Sequence, residues 1–371
     1  MSTLITPQPH MNTEWSDSPH TSDPPFSAPA WLANNHAQTF AGMLPLWAPP
    51  RSFRPARVEG LRFPLPQGGA LHADAWWHVQ SATASVDGRP AAYERRPAVI
   101  VVHGVGGSSV SRYVLRAAVS LHRAGWHVLR LNLRGAGTSV ADAPELYHAG
   151  LTEDLRVAID QLGARRQVDG VALVGFSLGG HVVLRLAGEL GASDPGALRA
   201  AVAVSAPVDL VEVTRAIERF RSLPYHLYVL QKLLRQARAF ARMHPRRAAY
   251  DVNSLWGLRT VRAYDGHVIA PMHGFASAED YYERASAGPF VSRIEIPTLV
   301  VHAEDDPMVP PSTLRAWLSS APSSVVQAWS RRGGHVGWFG GFSEASWVDT
   351  WAMEQTRAFL RAHGSLTSAR Y

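Results

Sequence analysis

One short stretch of the sequence combines residue types that suit a nucleophile. Residues 171–184 read VALVGFSLGGHVVL, in which Ser177 lies between Gly175 and Gly179 and between two apolar runs. The first run predicts a strand and the second a helix, so Ser177 is predicted at a tight strand-to-helix turn, the context of the G-x-S-x-G motif. The two glycines remove Cβ atoms that would clash in such a turn. A free serine hydroxyl is a weak nucleophile, however, and needs a base to activate it.

Candidates for the base and its acid follow two other predicted strands. In open α/β sheets the reactive groups lie past the carboxyl ends of the strands. His335 lies between glycines in RRGGHVGW, after the predicted strand SSVVQAW, and Asp305 and Asp306 follow the predicted strand IPTLVVHA. Each residue alone is explained by a loop or turn role. Three such residues at three strand ends, in the order Ser, Asp, His, favour a catalytic triad.

Of the two aspartates, the sequence favours Asp306 as the acid of the triad. It directly precedes the short segment 307–310, which ends in proline, a pattern common among hydrolases. Asp305 is then predicted to point away from the histidine or to cap the turn.

The glycine-rich segment VVHGVGGSS follows the third predicted strand and suggests an oxyanion site. Glycines let the backbone approach a substrate, so we expect the amide of Val105, or that of Gly106, to pair with the amide of Leu178. A phosphate-binding loop is the alternative, but the lysine of G-x-x-x-x-G-K-[ST] is absent. His103 is expected to brace the loop. Other histidines lack partners at metal-ligand spacing, so we predict no metal and no cofactor.

The composition is that of an ordinary globular protein. The chain has 371 residues, 46% hydrophobic and 18% charged, and its net charge is +6. Its 36 basic residues include one lysine, Lys232, and form no dense tract of the kind that binds nucleic acid. The absence of cysteine excludes disulfides and thiol nucleophiles. Neither a leader pattern nor a membrane-length apolar run is seen, so a cytoplasmic protein without a transmembrane segment is predicted.

Strand and helix patterns alternate along most of the chain. A β-hairpin (LRFPLP and ALHADAWWH) precedes the strands PAVIVVHG, WHVLRLN, VALVG and AAVAVSAP, and later come IPTLVVHA and SSVVQAW. Helices are expected to begin at Ser108 or Ser109, at Thr152, near Ser312 and near residue 347. This alternation predicts an α/β fold with a mostly parallel eight-stranded sheet and helices on both faces.

Two segments fall outside the alternation. Residues 1–25 are rich in Pro, Ser and Thr and are predicted as a disordered tail before a single domain at 26–371. Residues 208–290, after the sixth strand, show helical patterns and are predicted to form a lid. A leucine stripe in this lid, including Leu227 and Leu230, is expected to line an acyl pocket. An arginine stripe beside it is expected to be solvated, so contact with a membrane surface is not favoured.

Together these stretches resemble a known family, the YheT-like α/β hydrolases, which are esterases related to the mammalian α/β-hydrolase-domain lipases. The resemblance covers residues 26–360 and rests on WLANNHAQT, HGVGGSSVSRY, GWHVLRLNLRG, YHAGLTEDL, GFSLGG, SAPVDL, APMHGFASAEDYYERAS, PTLVVHAEDDPMVP and GGHVGW. It implies a triad of Ser177, Asp306 and His335. The family usually has Asn where this chain has His181, which leaves the fine substrate preference open. We expect no counterpart of the membrane anchor of the mammalian relatives in this sequence.

Three functions are compatible with this pattern. The first is hydrolysis of a carboxylic ester, short-to-medium acyl or glycerolipid-like, through an acyl-serine intermediate and without a cofactor. The second is acyl transfer to an acceptor other than water by the same residues, which the sequence does not separate from hydrolysis. The third is a non-catalytic ligand-binding protein on the same fold, which is weakened because no triad position is lost. The expected partner is a small-molecule or lipid ester.

Overall fold

The computed structural model describes residues 26–43, 53–80, 92–341, 343, 346 and 348–364. The predicted tail at 1–25 lies outside the described residues. Eight strands form one sheet: β1 (Arg57–Pro64), β2 (Ala70–Trp77), β3 (Arg96–Val102), β4 (His127–Asn132), β5 (Val168–Phe176), β6 (Leu198–Val204), β7 (Thr298–Ala303) and β8 (Val325–Ser330).

The strands lie in the order β1-β2-β4-β3-β5-β6-β7-β8. β2 runs antiparallel to β1 and β4, and the strands from β4 to β8 pair in parallel. β5 and β7 are buried along their whole length, which is why they read as nearly continuous apolar runs in the sequence. The predicted fold class is confirmed.

Helices cover both faces of the sheet. Their bounds are α1 (Asn35–Met43), α2 (Arg112–Arg123), α3 (Glu153–Gly163), α4 (Leu178–Leu190), α5 (Leu210–Ile217), α6 (Leu223–Met243), α7 (Val261–Tyr264), α8 (Ala270–His273), α9 (Ala278–Ala285), α10 (Gly288–Val291), α11 (Ser312–Leu318) and α12 (Trp351–His363). Leu155 of α3 and Val183 of α4 belong to the core on one face, and Val114 of α2 and Phe359 of α12 belong to the core on the other.

One predicted helix start was wrong by a few residues. α2 begins at Arg112 rather than near Ser108 or Ser109, because a turn precedes it in which the Ser111 amide donates to the Ser108 carbonyl oxygen. Val110, which lies in this turn before the helix, is 64% exposed. α12 begins at Trp351, and residues 346 and 348 before it are also helical.

The chain between β6 and β7 folds into helices α5 to α10. A π-helical turn, Asp265–Ile269, joins α7 to α8. These helices supply residues to both cavities described below, whereas their predicted movement as a lid stays a prediction. Within the described ranges, no helix has both the length and the hydrophobicity that crossing a membrane requires.

Candidate active site

Ser177 lies in a strained turn between β5 and α4. Its backbone angles are φ 51° and ψ −122°, a conformation that is costly for a residue with a side chain. The flanking glycines are required by space as well: a Cβ on Gly175 would lie 2.3 Å from the Gly179 carbonyl oxygen, and one on Gly179 would lie 2.5 Å from that of Val102. The Ser177 amide donates to the Val204 carbonyl oxygen at 2.8 Å, which fixes the turn against β6.

His335 connects Ser177 to Asp306. Its Nε2 lies 3.0 Å from Ser177 Oγ, and its Nδ1 lies 2.8 Å from Asp306 Oδ2. The second oxygen of Asp306 accepts hydrogen bonds from the amides of Met308 and Val309 at 2.8 and 2.9 Å. The three side chains therefore form a continuous hydrogen-bonded chain that ends on a fixed carboxylate.

The electrostatics of Asp306 suit an ionised acceptor. Burial alone would raise the pKa of this carboxyl, but the charge and hydrogen bond of His335, with smaller effects from His302 and the Val309 amide, hold the pKa below its usual value. An ionised Asp306 places the ring proton of His335 on Nδ1. The lone pair of Nε2 is then directed to the Ser177 hydroxyl.

Asp305 has a different role from its neighbour. Its Oδ1 accepts a hydrogen bond from the Gly334 amide at 2.9 Å, and its carbonyl oxygen accepts one from Asn35 Nδ2 at 2.8 Å. Asp305 thus holds the loop that carries His335, while Asp306 contacts the His335 ring.

Helix α1 also holds this loop, which the sequence analysis did not predict. Thr39 Oγ1 accepts a hydrogen bond from the His335 amide at 2.9 Å. Gln38 Oε1 accepts one from the Phe339 amide at 2.8 Å, and Gln38 Nε2 donates one to the Phe339 carbonyl oxygen at 3.1 Å. A Cβ on Gly334, whose φ is 61°, would lie 2.5 Å from the Asn35 carbonyl oxygen. In the sequence, only the stretch WLANNHAQT, one of those that carry the family resemblance, pointed to this helix.

The loop after β3 leaves one amide available. The amides of Gly104 and Gly106 donate to the hydroxyls of Tyr113 and Tyr147 at 2.8 and 2.7 Å. The Val105 amide makes no hydrogen bond to any described residue. Of the two candidates from the sequence, Val105 is therefore the better oxyanion donor, and Gly106 is already occupied.

This loop approaches the nucleophile closely, since a Cβ on Gly104 would lie 3.0 Å from Ser177 Cβ. Leu178 is the first residue of α4, where backbone amides lack intrahelical acceptors. His103 braces the loop: Nδ1 contacts the Gly104 carbonyl oxygen at 2.8 Å, and Nε2 accepts the Leu133 amide at 3.2 Å. Burial lowers the pKa of His103 to about 4, so the ring is neutral.

Two cavities meet at Ser177. Their shared wall consists of Val105, Ser177, Val229, Met308 and His335. The polar chamber has a volume of about 310 Å³, and its other lining residues include Thr39, Gly106, Ser108, Arg112, Tyr228 and Lys232. The apolar chamber has a volume of about 110 Å³, and its other lining residues include Leu178, Leu210, Ile217, Leu233, Ile269, His148, Tyr282 and Asp265.

The two leucines that were predicted to line an acyl pocket, Leu227 and Leu230, do not line either cavity beside Ser177. Leu227 is 44% exposed and Leu230 packs in the core, and neither lines a chamber. Val229 and Leu233 of the same helix line the apolar chamber instead. Each residue turns the helix by about 100°, so an apolar stripe read from the sequence does not show which of its members meets the sheet and which meets a cavity.

His181, the departure from the family pattern, lies behind the site. Its ring nitrogens contact the carbonyl oxygens of Pro207 at 2.6 Å and Ala285 at 2.9 Å, and it lines neither chamber. The residue therefore ties the segment after β6 to α9. In the part of the chain that the structure describes, no group of three or more histidine or acidic side chains could hold a metal ion.

Comparisons with known proteins agree with this architecture. The family model described as alpha/beta hydrolase fold matches residues 97–328. YheT of Escherichia coli K12 is 31% identical over 275 residues, which are 74% of this chain and 80% of YheT. The monoacylglycerol lipase of Saccharomyces cerevisiae is 31% identical over 262 residues, 68% of this chain and 57% of the lipase.

Among solved structures, the esterase Pf2001 of Pyrococcus furiosus superposes with a TM-score of 0.53. The alignment covers 87% of this chain and 96% of the esterase, at 16% sequence identity. At that identity the similarity concerns the fold alone.

Proposed function

The chain belongs to the YheT-like α/β hydrolases, and we propose that this carboxylic ester hydrolase works through an acyl-serine intermediate on Ser177. The observation that carries the proposal is the pair of hydrogen bonds made by the His335 ring, one to Ser177 and one to Asp306. A histidine held in this way can take a proton from the hydroxyl and keep its own orientation.

The reaction proceeds in two halves. Ser177 Oγ attacks the ester carbonyl while His335 Nε2 takes the hydroxyl proton, and Asp306 stabilises the imidazolium that forms. The amides of Val105 and Leu178 donate to the oxyanion. His335 returns the proton to the departing alcohol, and water then attacks the acyl-serine by the same route.

We assign the two halves of the ester to the two chambers. Leu210, Ile217, Leu233 and Ile269 give the apolar chamber the lining that an acyl chain needs, because each buried methylene contributes about 0.8 kcal/mol. The larger polar chamber takes the alcohol. The small volume of the apolar chamber favours short-to-medium acyl groups. We include glycerolipid-like esters among the proposed substrates because one relative is a monoacylglycerol lipase.

The test is a panel of p-nitrophenyl esters of graded acyl length, with Ser177→Ala as the blank and a fluorophosphonate probe as an independent label. We expect the wild type to hydrolyse the shorter esters and to be labelled, and Ser177→Ala to lose labelling and about 10³-fold or more of its turnover. Ser193→Ala, at an exposed serine, is the matched control and should behave as the wild type. Undiminished labelling of Ser177→Ala would refute the assignment.

A further inference from the structure

The apolar chamber contains one carboxylic acid among its lining residues, Asp265. The residue is 7% exposed and begins the π-helical turn Asp265–Ile269. Removing a carboxyl group from water costs free energy unless hydrogen bonds replace the lost hydration. Burial accordingly raises the pKa of Asp265 to about 7. An acid in this position requires a partner.

Among the described residues, the protein supplies a hydrogen-bond donor to only one of the two carboxyl oxygens of Asp265. The Tyr282 hydroxyl donates to Asp265 Oδ2 at 2.6 Å. The nearby guanidinium of Arg262 is paired instead with Glu218 and Glu279. No described residue donates a hydrogen bond to Oδ1, although a carboxyl group can accept several. Once the carboxyl group is ionised, above its pKa of about 7, Oδ1 is therefore the acceptor that remains for the occupant of the chamber.

A second polar residue in the lining of the apolar chamber, His148, is a hydrogen-bond donor. His148 Nδ1 accepts the Gly150 amide at 3.1 Å, which places the ring proton on Nε2. Burial, and then the neighbouring His273, lowers the pKa of His148 to about 3, so the ring is neutral. Its Nε2–H has no acceptor among the described residues. The chamber thus offers a free acceptor, Asp265 Oδ1, and at least one free donor, His148 Nε2–H, within an apolar lining.

We propose that the apolar chamber selects acyl chains that carry a hydroxyl group, with Asp265 Oδ1 accepting the hydrogen bond from that hydroxyl. The inference rests on the proposed function, in which the acyl group occupies this chamber. A hydroxyl is the group that can donate to Asp265 and also accept from a donor such as His148. A site built to bond a hydroxyl discriminates against the analogue without it, because its buried polar group is then left unpaired.

The experiment, run at a pH above the Asp265 pKa of about 7, compares ethyl octanoate with the ethyl hydroxyoctanoates that carry one hydroxyl group at each chain carbon in turn. We expect the wild type to hydrolyse at least one hydroxy isomer with a kcat/KM about tenfold above that of ethyl octanoate. Asp265→Leu should remove this preference, so that its kcat/KM for the hydroxy isomer no longer exceeds that for ethyl octanoate. Asp160→Leu, which replaces an exposed aspartate on α3, is the matched control and should retain the preference.

A purely structural role of Asp265 predicts a different result. Asp265→Leu would then lower kcat/KM for all the esters by the same factor, and that outcome overturns the proposal, as does a wild type without preference for any hydroxy isomer. If Asp265→Leu does not fold, Asp265→Asn, which keeps an acceptor for Tyr282, is measured for the same ratio and should reduce it.

A binding measurement tests the selection of hydroxylated acyl chains independently of the proposed catalytic role of Ser177. Calorimetric titration of the Ser177→Ala protein with the preferred hydroxy ester and with ethyl octanoate needs no turnover, and it should show about tenfold tighter binding of the hydroxy ester. Equal affinities overturn the hydroxyl selection even if the wild type is an active esterase. Tighter binding of the hydroxy ester upholds the selection even if Ser177 is not the nucleophile.

Discussion

The two chambers share a wall at Ser177 and differ in almost everything else. The polar chamber is about 310 Å³ and carries the cations Arg112 and Lys232, whereas the apolar chamber is about 110 Å³ and is lined mainly by branched aliphatic and aromatic side chains around Asp265. An ester has two halves that join at the reacting carbonyl. The contrast teaches that each half can be selected by its own chamber, while the chemistry at the shared wall stays the same.

One helix separates the chambers. Lys232 and Leu233 are adjacent in α6, yet Lys232 lines the polar chamber and Leu233 the apolar one, and Val229 lies in the wall between them. Gly106 permits this arrangement, because a Cβ there would lie 2.4 Å from Lys232 Cβ. Substitutions on α6 should therefore alter one chamber at a time, and substitutions in the wall should alter both.

The largest loss of activity should come from a change at Asp306, the proposed acid of the triad. Asp306 holds the ring of His335, which is part of the wall that the two chambers share. Asp306→Asn leaves His335 without the acceptor that fixes its tautomer, so kcat should fall by about 10⁴-fold for every ester. Asp305→Asn is the matched control, because it alters the contacts of this side chain with the Gly333 and Gly334 amides and not the His335 ring, and about a tenfold loss is expected. Steady-state kinetics on two esters that differ in both halves measures the effect. The assignment of the acid is wrong if Asp305→Asn proves the more damaging change.

A substitution in the apolar chamber is expected to have a smaller effect, which concerns only the acyl half of the ester. Leu233→Phe reduces the space for the acyl chain, so the preferred acyl length should shorten, with about a tenfold loss for the longest ester that the wild type accepts. Leu227→Phe places the same ring on an exposed position of the same helix and should leave the length profile unchanged. Equal profiles for all three proteins would show that the acyl chain does not enter this chamber.

In the polar chamber the expected effect is smaller again. Lys232 has no carboxylate partner among the described residues, and its ammonium lies 5.5 Å from the centre of the Tyr228 ring. Lys232→Met should lower kcat/KM about threefold to tenfold for esters whose alcohol carries a phosphate, with little change for neutral alcohols, and added salt should diminish the difference. Arg242→Met, at an exposed residue of α6, should leave the ratio unchanged. A uniform loss would contradict the assignment of the alcohol to this chamber.

The smallest effect concerns stability and pH at Asp265. An unfolded aspartate releases its proton near pH 3.9, whereas the folded protein keeps it up to a pKa of about 7. Between these values the folded state binds the extra proton, so the contribution of Asp265 to stability falls as the pH rises and is then constant above pH 7. The charged or titratable groups around Asp265 are Tyr147, Tyr264, Tyr281, Tyr282, Glu218 and Arg262.

Asp265→Asn should remove this dependence. Its free energy of unfolding, relative to that of the wild type, should increase between about pH 5 and pH 7 by at most about 1 kcal/mol per pH unit. Urea denaturation at a series of pH values measures it, with Asp160→Asn as the control at an exposed aspartate. A difference that does not vary with pH would mean that Asp265 ionises normally in the folded protein.

The strands and the elbow could be predicted because their signals are local. Continuous apolar runs such as that of β5 and the glycines beside Ser177 follow from the backbone of a few neighbouring residues. His335 and Asp306 were predicted from their places at strand ends, which the topology of the sheet brings together. The start of α2 was wrong because Ser108 and Ser111 bond each other in a turn before the helix.

The remaining features depend on contacts that are distant in sequence. Thr39 and His335 are 296 residues apart, and neither residue alone indicates that α1 holds the loop. Which side of α6 faces a cavity is decided by the loop after β3 and by α5, not by the periodicity of α6 itself. The position of Asp265 beside Tyr282 is likewise set by the packing of the helices between β6 and β7.

The most direct test of the account is a crystal structure of the protein after reaction with an octyl fluorophosphonate. The account predicts a covalent bond between the phosphorus atom and Ser177 Oγ, a phosphonyl oxygen within hydrogen-bonding distance of the Val105 and Leu178 amides, and the octyl chain between Leu210 and Leu233 in the apolar chamber. A phosphorus atom bonded to another residue, or an octyl chain in the polar chamber beside Lys232, would contradict it.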